Sequence, residues 1–486
     1  MVREMAFFLG IYLWGVVVSW ICWRKLPIAL RLSSSLFWGL AGWVAAALLI
    51  MGAGCGYTLG KMQAVFGVSA LLFLWVEWRR DAKSLRREVT GALIGATCVA
   101  VVTWCAWRLN LSVVSYDSIP QLMIAQEIGS AGSLEGVQGM LASWGSLYVI
   151  VNSASVLIGR PYWVALQPLV GVGFLSVFCA IAFHALCRVQ TTRALALFVS
   201  LMAGLSLAST YFIVFQFFYI HNNLFSAAYF LLGVGGLWLR LAGEDESTER
   251  FGMAALTAYA FCRVEAPLFA ALVIAWYAAE GAKASRAWRL LSAGYALIIV
   301  SWYGWLANSI GAGTDILTPS RAILLACVTL AAVLASYGSS AVAQIARWRI
   351  RSMPGVLVLA LVAMAGMFLK RPEAMTQSLI GMLGNMGVAG RWCWTWWVLG
   401  AMLIGSFRTP AFVAGRMLAG VSLGGLCLLY GLAYLRVPYH LGWPDSANRI
   451  ATQFVPLLML FLVVLTCAKR QGDAAMRDCS RNSNMA

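Results

Sequence analysis

Charge is what this 486-residue chain has least of. Asp, Glu, Lys and Arg together make up 11% of it, where a soluble domain carries roughly 25%. So little polar surface cannot cover a fold in water, which excludes a water-soluble globular protein. Acidic residues number 18 and histidines three, so each one set among apolar neighbours stands out. Metal-ligand spacing is missing too. Most of the twelve cysteines, among them Cys22, Cys98, Cys105, Cys179, Cys262 and Cys327, lie inside apolar runs, where a thiol behaves as a small buried hydrophobe. What the chain does have is apolar mass: 62% hydrophobic residues and a mean hydropathy of +0.81. Lipid must form part of its solvent.

The net charge of +17 would suit nucleic acid only if the basic residues gathered on one soluble domain. They come instead in short clusters between apolar runs, the arrangement of topology signals, so no nucleic-acid partner is expected. No stretch is long enough for a separate soluble domain, the longest weakly apolar one being 109–162.

Apolar runs long enough to cross a bilayer fall at about 6–23, 34–57, 62–78, 90–107, 164–187, 194–215 and 219–239. A broken pair follows at 251–262 and 267–279, then 290–307, 322–343, 355–369, 392–406, 417–434 and 451–468. The first run has the length of a signal peptide but no clear small-residue cleavage site, and reads as a retained span. These runs predict an all-α, polytopic transmembrane bundle of about 13–15 spans. Short helices are expected along its extracytoplasmic surface, one of them near 119–128, where apolar residues repeat at helical spacing.

Alternate loops collect the positive charge: Arg24/Lys25/Arg31, Arg79 to Arg87, Arg188/Arg193, Arg240/Arg250, Lys283 to Arg289, Arg347 to Arg351, Arg408/Arg416, and Lys469, Arg470, Arg477 and Arg481. That set holds 24 of the 35 basic residues, which makes it cytoplasmic by the positive-inside rule. The alternation requires 251–279 to cross twice. The amino terminus then lies outside. Residues 469–486 form a polar cytoplasmic tail expected to be disordered.

Polar residues on the opposite face are few and specific. Asp117, in Tyr116-Asp117-Ser118, stands just beyond the fourth span. A carboxylate at the edge of the membrane can take a proton from an acceptor hydroxyl; an exposed or helix-capping aspartate is the plainer alternative. Arg263 and Glu265 sit at the turn of the broken pair, where charges at membrane depth need a partner or a wet cavity. A structural ion pair closing the hairpin is the competing reading. His221-Asn222-Asn223 follows the aromatic run 211–219 and supplies imidazole and amide groups of the kind that hold sugar hydroxyls, flanked by aromatic faces; a hydrogen-bonded structural histidine is the plainer alternative. Near the carboxyl end come Arg436, His440 and Ser446-Ala447-Asn448-Arg449, an arginine there being suited to grip phosphate with its planar fork. Interfacial anchoring is the alternative. Lys370, Arg371 and Arg391 add cations to the same face, giving an electropositive rim suited to a polyprenyl phosphate.

With these residues in view, the layout resembles the polytopic membrane glycosyltransferases of the C-type fold. Tyr116-Asp117-Ser118 occupies the place of that family's acidic residue in the first large outer loop, followed by Gln126, Gly129 and Trp144-Gly145-Ser146. Arg263-Val264-Glu265 in a short broken hairpin, and Ser446-Ala447-Asn448-Arg449 leading through Pro456 into the last span, are similar to features of bacterial members. The likeness is one of layout and short motifs over about 90–468, and 1–89 adds three spans that the simplest family plan lacks.

The resemblance implies a sugar donor linked to polyprenyl phosphate, a lipid, glycan or protein acceptor, and a setting in a bacterial inner membrane with the site extracytoplasmic. Asp117 is then the catalytic base. Tyr116, His221, Asn222, Arg263, Glu265, Arg436, His440 and Arg449 are the residues expected to bind substrate or donor. No cofactor and no metal ligands are assigned. A ligase or polymerase of preassembled lipid-linked glycan would use the same residue types. A secondary transporter or flippase would instead carry charges at mid-membrane on several helices and usually internal repeats.

Overall fold

The computed structural model describes residues 1–78, 82–188, 192–280, 286–310, 317–337, 362, 364–406, 413–435, 438–442 and 445–466. Its elements are helical: α1 (Val2–Trp23), α2 (Ile28–Gly52), α3 (Leu59–Trp78), α4 (Ala82–Leu109), α5 (Ser118–Ala131), α6 (Gln138–Trp144), α7 (Leu147–Leu157), α8 (Leu166–Arg188), α9 (Arg193–Ser209) and α10 (Tyr211–Gln216). There follow α11 (Asn223–Leu241), α12 (Glu246–Ala260), α13 (Ala266–Ala279), α14 (Arg286–Ile310), α15 (Pro319–Tyr337), α16 (Pro372–Gly384), α17 (Thr395–Ser406), α18 (Val413–Leu435) and α19 (Ser446–Ala451). A last helix runs over 455–466.

Among the described residues nine helical stretches are long and apolar enough to cross a membrane, the last being Ser446–Thr466. Shorter apolar helices, Leu147–Leu157, Arg193–Ser209 and Ala266–Ala279, stand between them. The chain is an all-α, multi-pass membrane protein.

Several expected spans are cut, each for a local reason. The run 34–57 starts earlier, after Pro27, whose extended ψ of 136° turns the chain into α2, and stops at Gly54 and Gly56, both at positive φ. The run 194–215 breaks at Thr210, which is extended between α9 and α10. The run 392–406 begins only at Thr395, behind Arg391 and Cys393 at positive φ. The broken pair is two helices, α12 and α13, separated by the turn 261–265. Pro267 lies in the first turn of α13, where its missing N–H costs nothing. Most of 355–369, and the whole tail 469–486, lie outside the described residues.

α11 is the axis of the bundle, with every residue from 223 to 239 buried. Such a helix must be apolar on all sides. It packs closely on α12: a Cβ on Gly236 would lie 2.9 Å from the Gly252 Cα. The amino-terminal helices belong to the same packed body. A Cβ on Gly15 would lie 1.7 Å from the Ser35 carbonyl oxygen, so α1 and α2 cross backbone to backbone. Tyr229 of α11 donates to the Phe37 carbonyl at 2.6 Å, and Glu4 accepts from Trp107 Nε1 at 2.9 Å and from the Ala165 N–H at 2.6 Å.

The loops gather at two ends. At one, Lys25 pairs with Asp245 at 3.4 Å, Glu244 pairs with His184 (2.8 Å) and Arg188, and Arg31 pairs with Glu88 just inside, between α2 and α4. At the other, the segments 113–118, 144–147, 217–222 and 261–265 meet one another, and α19 closes onto them.

Candidate functional site

The site is built from turns that the sequence spreads over more than 300 residues. Val113 lies beside Tyr219 in a short parallel bridge: its N–H donates to the Phe218 carbonyl at 2.8 Å, and the Ile220 N–H donates back at 3.0 Å. Ser118 Oγ donates to the Ile220 carbonyl at 2.7 Å. Two loops distant in sequence are thereby fastened as one piece, and Asp117 sits at its edge.

Asp117 holds the N-cap position of α5, yet its side chain caps nothing; its own backbone is already helical, at φ −71° and ψ −19°. The carboxylate turns toward α19 instead. Arg449 Nη1 donates to Asp117 Oδ2 at 2.8 Å, and the same nitrogen lies 3.2 Å from His221 Nε2. A guanidinium N–H only donates, so His221 Nε2 accepts and the ring proton resides on Nδ1. Burial, then the charges of Arg449 and Arg263, hold the His221 pKa well below the ordinary imidazole value. The imidazole is neutral.

The six-residue helix α19 places Arg449 through its own caps. Asp445 accepts from the Ala447 N–H at 2.8 Å at its start, while Asn448 donates to the Gly390 carbonyl at 3.1 Å and accepts from Trp392 Nε1. Arg449 Nε is buried with no hydrogen-bond partner, an unmet donor beside the carboxylate.

A second ion pair stands behind the first. Arg263 Nε donates to Glu265 Oε1 at 2.6 Å, and its Nη1 donates to Asn223 Oδ1 at 2.9 Å and Asn222 Oδ1 at 3.4 Å. Both side chains are almost fully buried, at 11% and 7% exposure. Asn222 Nδ2 in turn donates to the Trp144 and Cys262 carbonyls, each at 2.9 Å. Gly145 makes this approach possible: its φ is +80°, and a Cβ there would lie 2.1 Å from the Cys262 carbonyl oxygen. Gln167 Nε2 holds the His221 carbonyl at 2.7 Å and the Tyr148 hydroxyl at 2.8 Å.

Asp117, His221, Asn222, Arg263, Glu265 and Arg449 therefore form one connected cluster. Tyr116 and His440 do not join it. Tyr116 is 88% exposed, and His440 pairs with Gln377 at 3.1 Å beside a separate groove of about 630 Å³ lined also by Glu373 and Thr376. Among the described residues only its backbone N–H, donating to Asp445 Oδ1 at 3.0 Å, ties His440 to α19. Arg436 lies outside the described residues. Of the other outer cations, Arg371 and Arg391 lie over the rings of Tyr434 (5.1 Å) and Tyr211 (5.5 Å), as interfacial anchors do.

Sequence reasoning passed over Tyr219. Its ring stacks flat on His221, with centroids 5.5 Å apart and planes at 5°, and its hydroxyl donates to Asp117 Oδ2 at 3.3 Å. In the sequence it closes the aromatic run 211–219, whose rings flank His221-Asn222-Asn223 without any one of them standing out.

The cluster holds two cations and two carboxylates, balanced in charge and partly open at Asp117, whose side chain is 30% exposed. An incoming anion would find a guanidinium already desolvated, and a hydroxyl would find a carboxylate beside it. Among the described residues no three His, Cys, Asp or Glu side chains converge as metal ligands would. Comparison with family models, with curated proteins and with solved structures finds no match to this chain.

Proposed function

We propose that the chain is a membrane glycosyltransferase of the C-type fold, moving a sugar from a polyprenyl-phosphate donor to a lipid, glycan or protein acceptor. Its membrane is a bacterial inner membrane. The site faces the extracytoplasmic side, because the loops that build it are those opposite the basic set.

The observation that carries this reading is the contact of Asp117 with Arg449 at 2.8 Å, beside neutral His221. Glycosyl transfer from a lipid phosphate needs two groups within one site: a base for the acceptor hydroxyl and a cation for the departing phosphate. In the proposed reaction the acceptor oxygen attacks the anomeric carbon from the face opposite the phosphate. The new C–O bond forms as the bond to the phosphate oxygen breaks, with inversion. The acceptor proton passes to Asp117, and the charge left on the lipid phosphate rests on Arg449, with Arg263 one residue layer behind. The donor is already activated, so no nucleotide is consumed. The lipid tail lies among the helices and holds the sugar in place for attack.

A transporter or flippase fits less well. Arg31 and Glu88, the pair buried between α2 and α4, lie near the opposite end and satisfy each other, and among the described residues no chain of charges runs through the middle. A ligase of preassembled glycan differs only in the size of the donor.

The test is transfer in membranes carrying the chain, supplied with a panel of radiolabelled undecaprenyl-phosphate sugars, against Asp117→Asn. Transfer with at least one donor and a loss of about 10²–10⁴-fold in the variant is expected, the range typical of a general base. Undiminished transfer by the variant would remove Asp117 from the reaction. Uptake of solute into vesicles, with no transfer from any donor, would replace the enzyme by a transporter.

A further inference from the structure

Resting on that reading, we infer that Tyr219 is a positioning residue, one that fixes which oxygen of Asp117 receives the acceptor's proton. Tyr219 is 2% exposed and lies on the strand-like segment that pairs with Val113. Its hydroxyl stands in a relay, accepting from Ser115 Oγ at 2.9 Å and donating to Asp117 Oδ2 at 3.3 Å. Arg449 grips that same Oδ2. Among the described residues no hydrogen bond reaches Asp117 Oδ1, and the side chain does not turn back to cap α5.

The two oxygens are thus unequal. Oδ2 is engaged by a cation and a phenol, which together immobilise the carboxylate and draw charge toward that atom. Oδ1 keeps its lone pairs for an incoming hydroxyl. Free rotation about the Cβ–Cγ bond would exchange the two, and Tyr219 opposes it from a fixed position: Val113 bonds the backbone on either side of the tyrosine, and Ser115 Oγ donates to its hydroxyl, both from the same loop that carries Asp117. The ring contributes separately. Lying flat on His221, it orients the imidazole that accepts from Arg449, so one side chain aligns both groups that touch the guanidinium. A phenol in this place does not meet substrate. It acts through Asp117, and its removal degrades geometry rather than binding.

The experiment is a kinetic cycle in the radiolabelled transfer assay, using whichever undecaprenyl-phosphate sugar the unmodified chain accepts. Tyr219→Phe keeps the stack on His221 and deletes the hydroxyl; Ser115→Ala deletes the bond that orients it, together with a longer contact of 3.4 Å to Ser118 Oγ. The expected result is a fall in kcat of about 10- to 100-fold for Tyr219→Phe and a smaller fall for Ser115→Ala, with the donor KM changed by less than about 2-fold. In an Asp117→Asn background Tyr219→Phe should cost no further rate, because a residue that acts through another contributes nothing once that other is gone. A merely structural tyrosine would add its loss to both backgrounds.

An unchanged kcat, an effect confined to KM, or losses that multiply in the double variant overturn the inference and leave the functional reading standing. Absence of transfer by the unmodified chain with every donor overturns the reading, and the inference with it. If Tyr219→Phe fails to fold, Ser115→Ala with its own Asp117→Asn double variant decides the same point, and the thermal midpoints of all variants are measured alongside.

Discussion

Asp117 and Arg449 lie 332 positions apart in the chain and 2.8 Å apart in space. Each neutralises the other. A phosphate binding at Arg449 must compete with the carboxylate, so removing the carboxylate's charge should free the arginine. Asp117→Asn is predicted to bind undecaprenyl phosphate about 3- to 30-fold more tightly than the unmodified protein, less than the full worth of one charged hydrogen bond because the amide oxygen still accepts from Arg449, even as it loses transfer. Quenching of Trp144, which stands edge-on to His221 at 6.3 Å, or calorimetry in detergent, reads the affinity. Weaker binding by Asp117→Asn would mean that the carboxylate helps to hold the donor.

His221 gives the site a pH signature. Its folded pKa is depressed, by burial first and then by Arg449 and Arg263, while in the unfolded chain it titrates at about 6.5. Below that value the unfolded chain binds a proton that the folded one refuses, so stability falls on acidification until the folded pKa is reached; above it His221 contributes no slope. The thermal midpoint should drop between pH 7.5 and 5, and His221→Gln should flatten that drop. Equal slopes for the two proteins would show that the imidazole is not held neutral.

The pair Arg263–Glu265 tests buried electrostatics. Glu265→Ala strips a buried guanidinium of its carboxylate and should destabilise by about 3 kcal/mol, since breaking one side of a buried pair costs 3–5 kcal/mol; Asn222 and Asn223 retain part of the compensation. Replacing both members, Arg263→Met with Glu265→Met, should cost less than Glu265→Ala alone. Denaturation of the two variants and the unmodified protein in one detergent settles the order, and a double variant worse than the single would contradict it.

Gly145 is the tightest backbone requirement in the site. A methyl group there meets the Cys262 carbonyl at 2.1 Å while the chain stays at φ +80°. Gly145→Ala should cost about 2 kcal/mol or more, separate the 144–147 turn from the 261–265 turn, and lower transfer more than it lowers the thermal midpoint of the whole bundle. A variant with unchanged midpoint and rate would show that the turns give way freely.

The residues of the cluster were legible in the sequence because their chemistry is rare there. Asp117, His221, Arg263, Glu265 and Arg449 stand out where charge and imidazole are expensive. Their pairing was not legible. That Asp117 faces Arg449, and not the first turn of α5, depends on a helical backbone at residue 117, which local sequence does not dictate. Tyr219 was hidden for the opposite reason, being one of 16 tyrosines in a run that membrane interfaces also favour. Helix ends were misplaced where tertiary pairing claimed apolar residues: the run beginning at 219 starts its helix only at Asn223, because 218–220 pair with Val113.

That pairing also decides what can move. With Val113, Ser115 and Ser118 all bonded to 218–220, the loop bearing Asp117 and the turn bearing His221 form a single rigid jaw. Among the described residues no backbone hydrogen bond joins this jaw to the segment 438–453. The Arg449 guanidinium bridges the two, and the chain reaches α19 past Gly442 at φ +133°. The segment itself is anchored, since Gln453 bonds Tyr259 and Ser226, so parting the two sides needs no more than a swing of the Arg449 side chain, after which Tyr219 still holds Asp117 and still lies against His221.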